Sequence, residues 1–144
     1  MTVAEKVPMA AAGRSAWLET IETLFSEVEV WASTQHWDTK RRSKEFADEF
    51  AQDEYSVPIL EINSPSQQSE QPYSDMLVLE PVMFNPQTGI QRIDFYVWPT
   101  MYRVRLIRKV DQDDWIIKTE SSINWPLPWN EATFVQIAEG FLGA

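Results

Sequence analysis

The chain reads as an α+β domain with two N-terminal helices, a five-stranded antiparallel meander and a C-terminal helix. Apolar residues recur at helical spacing near both ends of the chain. Between them lie five short apolar runs bounded by turn-forming residues. The links between the later runs are only a few residues long, enough for antiparallel neighbours but too short for a parallel crossover. The length, 144 residues, predicts one domain. Residues 1–13 are expected to be a flexible leader and 14–144 the folded unit.

The first helix is expected over 16–34, with Ser15 as its cap. Trp17, Leu18, Ile21, Leu24, Phe25, Val28, Trp31 and Ala32 form one stripe, and Glu19, Glu22, Glu27 and Glu29 take the remaining surface. His36 follows the last turn, where a cation suits the helix dipole. A second helix is expected at about 39–54, on the stripe Phe46, Ala47, Phe50, Ala51 and Tyr55. The basic run Lys40-Arg41-Arg42-Ser43-Lys44 sits at the wrong end for the dipole, which favours a start near Ser43.

The strands follow. Val57–Ile62 carries Pro58, which predicts an edge or strand-start position. Residues 63–75 are polar with two prolines and no period, so a mobile loop is expected. Met76–Phe84, Ile90–Trp98, Met101–Val110 and Trp115–Glu120 complete the meander. Closing a loop at Trp98–Met101 sets Phe95 against Val104 and Ile93 against Leu106 on a core face. The same register sets Asp94 against Arg105 and Tyr96 against Arg103 on the other. Carried through the DQDD turn, it predicts Arg105 opposite Glu120 and Leu106 opposite Thr119.

The motif Asn124-Trp125-Pro126-Leu127-Pro128-Trp129-Asn130 is expected to be an extended joint, because residues before proline avoid helical geometry. Asn130 then caps the last helix, with Trp129 packing on Phe134 as a hydrophobic staple. Phe134, Ile137, Ala138, Phe141 and Leu142 are its stripe. This order of elements is loosely similar to helix-grip folds, which hold a ligand between a curved sheet and a long C-terminal helix.

Composition narrows the function. There are no cysteines, which removes thiolate chemistry and cysteine-ligated metals. Twenty-two acids against 12 bases give a net charge of −10, which disfavours nucleic acid and anionic membrane as partners. No secretory leader or membrane span is visible, so a cytoplasmic protein is expected. Glycines stand at 13, 89, 140 and 143, too scattered for a phosphate loop. Asp111, Asp113 and Asp114 form a turn lacking the glycine and distal glutamate of a calcium loop. A lone histidine has no nucleophile or acid to work with. No cofactor and no metal are expected, and the Asp94–Arg105–Glu120 group reads as an ion ladder, since an arginine between two acids makes them poor proton donors.

Three functions follow, in descending order. The first is a non-catalytic interaction domain. Its partner is a protein or a second copy in a homodimer, and its contacts are Tyr96, Trp98, Arg103, Arg105 and the unassigned Trp125. The second is a module for a small apolar ligand, in a cavity lined by Phe95, Tyr102, Trp115 and Phe141. The third is a hydrolase-type enzyme using sheet carboxylates. The open question is whether the non-core sheet face is exposed or covered by the N-terminal helices.

Overall fold

The computed structural model describes residues 3–49, 53–64, 75–112, 114–119 and 127–143, with backbone alone for 3–12 and 143. In chain order the elements are α1 (Val3–Thr34), β1 (Asp38–Phe46), β2 (Tyr55–Asn63), β3 (Met76–Phe84), β4 (Ile90–Trp98), β5 (Arg103–Lys109), β6 (Ile116–Lys118), β7 (Leu127–Pro128) and α2 (Glu131–Gly143). Among the described residues the strands form one seven-stranded sheet in order β1 to β7, each pair antiparallel. The α+β class, the antiparallel sheet and the C-terminal helix agree with expectation. One long N-terminal helix replaces the two expected, and two further strands flank the five.

The expected second helix is the strand β1. Its nine residues carry only one buried apolar side chain, Phe46, so period two was invisible in hydrophobicity. The alternation lies in the charges instead. Arg41 turns toward α1, donating to Glu22 at 2.6 Å and Glu29 at 2.7 Å, while Lys40, Arg42 and Lys44 take the other side. A lysine- and arginine-rich edge strand resists pairing with a further chain. At the far edge β7 is only Leu127–Pro128, paired with Ile116–Ile117, and its proline has no N–H to offer. Because β1 covers β2, the edge expected for Pro58 moves one strand outward. The β2–β3 pairing spans only Leu60–Ile62, which leaves Pro58 outside that ladder.

Helix α1 begins at Val3, upstream of the expected Ser15 cap, and ends at Thr34 as its stripe predicts. At its end Trp37 N donates to Ala32 O at 2.9 Å and His36 N to Ser33 O at 3.0 Å, the paired bonds of a Schellman cap. His36 is therefore the left-handed residue of that cap (φ 63°), a position that usually favours glycine. Helix α2 starts as predicted. Asn130 Oδ1 accepts from Thr133 N at 3.0 Å, and Trp129 meets Phe134 with ring centroids 5.7 Å apart.

One face of the sheet carries the core. Trp17, Ile21, Leu24, Phe25 and Val28 of α1 and Phe134 and Ala138 of α2 close over Leu60, Ile62, Leu77, Leu79, Ile93, Phe95, Val97 and Leu106. The β4–β5 register is the predicted one, with Phe95 opposite Val104 and Asp94 opposite Arg105. The β5–β6 register differs by two residues. Gln112 N closes back on Lys109 O at 2.8 Å, so the turn forms earlier than expected and Leu106 faces Ile117. A slip of two keeps every side chain on its face but changes its partner. Arg105 thus stands opposite Lys118. Glu120, Asp113, Trp125 and the 65–74 segment lie outside the described residues.

Candidate functional site on the open face of the sheet

Both helices pack on the core face, so among the described residues no element covers the opposite side. Pairing places Asp38, Lys40, Arg42, Lys44, Glu61, Val78, Glu80, Arg92, Asp94, Tyr96, Trp98, Arg103, Arg105, Ile107, Lys109, Ile116 and Lys118 on that open face. Those residues include eight of the chain's 12 lysines and arginines but only four acids, in a chain of net charge −10. The face is thus locally basic on an acidic protein.

The two halves of this face differ. Over β1 to β4 most of the charges are paired. Arg42 binds Glu61 at 2.6 Å, Lys44 binds Glu80 at 2.7 Å, and Tyr96 donates to Glu80 at 2.8 Å. Arg42 pairs with Ile59 and Tyr96 with Val78, two residues that are buried yet stand apart from the main core. Arg92 holds Asp94 at 2.9 Å, and Arg103 approaches the same carboxylate at 3.7 Å. Over β5 and β6, Arg105 and Lys118 have no ion-pair partner among the described residues. They sit directly opposite one another, a like-charge pair that costs stability.

Glu80 and Asp94 are also directly opposite, which invites an acid–base reading. The chemistry argues otherwise. Burial alone would raise the Glu80 carboxyl, but the hydrogen bonds from Lys44 and Tyr96 outweigh it and hold it below the ordinary glutamate range. An acid held ionised is a poor proton donor. Burial first, and Glu80 second, push the Tyr96 phenol up, so it stays a hydrogen-bond donor. A depressed carboxyl stabilises the fold above its unfolded pKa, about 4.3, and loses that contribution as pH falls through the folded value. Glu80→Gln is expected to cost about 1–2 kcal/mol at neutral pH. That difference from the parent protein should close on acidification below about pH 4, as read from urea midpoints across pH. A pH-independent difference would show that the Glu80 charge is not what stabilises the fold.

At one end of the open face the β4–β5 hairpin tip is aromatic and exposed. Trp98 is 54% exposed, Met101 46% and Tyr102 60%. The tip is fixed by Met101 N donating to Val97 O at 2.7 Å and Val97 N to Tyr102 O at 3.0 Å. The Trp98–Pro99 bond is cis. Met101 holds φ 67°, a left-handed conformation that costs a side-chain-bearing residue about 1 kcal/mol. Strain of this kind is often retained at binding sites.

The residues expected to form an interaction surface thus fall together, apart from Trp125. Tyr96, Trp98, Arg103 and Arg105 share the open face. Of those expected to line a ligand cavity, Phe95 and Phe141 meet, but the four do not converge on one cavity. Phe95 is fully buried among rings, 5.6 Å from Phe134, 5.9 Å from Trp129 and 5.5 Å from Phe141. Tyr102 stands at the hairpin tip. Trp115 lines a separate open groove of about 380 Å³ between α1 and β5–β6, with Glu19, Glu27, Arg108, Asp114 and Trp129. Among the described residues no group of His, Asp and Glu could hold a metal ion, and no helix is long and apolar enough to cross a membrane.

Sequence reasoning missed Lys118, because the register slip hid its place beside Arg105. It also missed the face position of Lys40, Arg42 and Lys44, whose period-two spacing was the available signal. A second polar cluster escaped as well. Asp48 is 7% exposed and accepts from the Tyr55 hydroxyl and from Arg14 at 3.4 Å. Arg14 also lies over the Tyr55 ring at 4.3 Å and reaches Asp53 at 3.0 Å. This latch ties α1 to the β1–β2 connection. The chain matches no protein-family model, no curated protein and no solved structure.

Proposed function

We propose that the chain is a non-catalytic interaction domain that binds a protein partner through the open face of its sheet. The observation that carries this is the exposed Trp98–Met101–Tyr102 tip beside Arg103 and Arg105. Rigid aromatics, methionine and arginine are the residues enriched where proteins meet. The edges add support: β1 is charged and β7 is short, so contact by the face is favoured over contact by strand addition. Glu61, Glu80 and Asp94 on the face serve as ion-pair partners, which argues against the hydrolase reading.

Photo-crosslinking in the native cell tests this. A benzophenone side chain at Ile107, on the open face, is expected to trap a discrete protein adduct that Trp98→Ala with Tyr102→Ala abolishes. The same group at Glu139, on α2, is expected to trap none of that adduct. Adducts from Glu139 alone would move the binding surface to the helical side and overturn the proposal.

A second reading, a small-ligand site, has the groove beside Trp115 and Trp129 as its support. Its charged lining would suit a polar ligand and not the apolar one expected from sequence. Native mass spectrometry of the purified protein is expected to show the bare chain mass if the interaction reading is right. A bound small molecule lost on Trp115→Ala would favour the groove.

A further inference from the structure

We infer that the β5–β6 half of the open face recognises an acidic, partly apolar segment of its protein partner, with Arg105 and Lys118 as the charge-reading pair. This rests on the interaction reading above and names the chemistry of the partner. Three observations lead to it. Three of the four acids on the face, Glu61, Glu80 and Asp94, are already taken by Arg42, Lys44 and Arg92, and Arg105 and Lys118 have no ion-pair partner among the described residues. These two are cross-strand neighbours, so the fold holds two like charges side by side at a cost that an external anion would relieve. Ile107 and Ile116 pair beside them and are only partly buried, and Trp98 and Arg103 flank the strip. The strip therefore offers cations and apolar contact in alternation, the complement of a segment in which carboxylates alternate with apolar side chains.

Other occupants fit less well. A symmetric dimer through this face would set the basic strip of one copy against that of the other, a like-charge contact that costs affinity. Nucleic acid would meet few bases here that lack an ion pair among the described residues, on a chain of net charge −10, with few phosphates neutralised.

Selection from a random-sequence peptide library displayed on phage tests the inference, using the full chain as bait. Peptides enriched in Asp and Glu interspersed with apolar residues are expected. They should bind Arg105→Gln/Lys118→Gln roughly tenfold more weakly. Selection on Arg105→Glu/Lys118→Glu should instead enrich Lys and Arg. Both positions are exposed and have no ion-pair partner among the described residues, and thermal unfolding of each variant close to the parent will show that the fold is kept. Binders without charge bias, binders indifferent to the substitutions, or no binders at all would each overturn the acidic-segment inference. So would tighter binding of oligothymidylate than of the selected peptides, which would assign the strip to nucleic acid, or a concentration-dependent dimer in sedimentation that the charge reversal disrupts. The two failures are separable: crosslinks from Ile107 with no acidic enrichment would leave the interaction face standing and remove only its charge preference.

Discussion

Phe134→Ala is expected to destabilise the protein by about 3–5 kcal/mol, lowering the melting temperature by roughly 10–20 °C for a domain of this size. Phe134 is fully buried and is where the aromatic core converges. Its ring lies 5.6 Å from Phe95, 5.7 Å from Trp31, 5.7 Å from Trp129 and 6.0 Å from Trp37. Those rings come from α1, its C-terminal cap, β4 and the residue ahead of α2. Truncation removes the side chain that joins both helices to the sheet, and rigid neighbours on every side leave the cavity little room to collapse. It also removes the N4 partner of the Trp129 staple. Phe134→Leu, which keeps most of the volume, should cost less than half as much. Calorimetry checks both. A loss below about 1 kcal/mol for the alanine variant would mean that α2 does not dock as described.

Asp48→Ala is expected to cost about 2–3 kcal/mol through a different mechanism. The carboxylate is buried and accepts from the Tyr55 hydroxyl and the Arg14 guanidinium. Removing it strands a partly buried phenol and leaves Arg14 with the exposed Asp53, a pair worth little in water. Tyr55→Phe in the same background should add little, so a double-mutant cycle should give a coupling of about 1 kcal/mol or more. Additive losses would show that the two groups do not act together. The latch also predicts an alkaline effect. Burial, then Asp48, push the Tyr55 phenol above the ordinary tyrosine value. A group raised in the folded state stabilises below its unfolded pKa, about 10, and that contribution fades as pH climbs past it. Ultraviolet titration should find Tyr55 ionising earlier in Asp48→Ala while the fold persists, with burial keeping it above a free phenol.

Much of the architecture was legible because it rests on local periodicity. The stripe from Trp17 to Ala32, the alternation of Ile93, Phe95 and Val97 against Val104 and Leu106, and the Trp129–Asn130 start of α2 are all short-range patterns. What failed was non-local. β1 is a strand because it pairs along its whole length with β2, with Arg41 reaching Glu22 and Glu29 of α1, tertiary contacts that propensity cannot foresee. The β5–β6 register turned on where one loop closes, and a shift of two preserves hydrophobic alternation, so the pattern could not detect it.

For the candidate site the division is similar. Which side of the sheet holds Tyr96, Trp98, Arg103 and Arg105 follows from period two alone, and it was read correctly. That no described element covers that side followed only from where the helices dock. Amphipathic helices announce that they will bury a stripe, not which sheet face will receive it. Likewise the residues reveal an acidic chain, whereas only the assembled sheet gathers most of its bases onto one surface. Net charge is additive along a sequence; an electrostatic face depends on which distant strands become neighbours, and that is decided by packing.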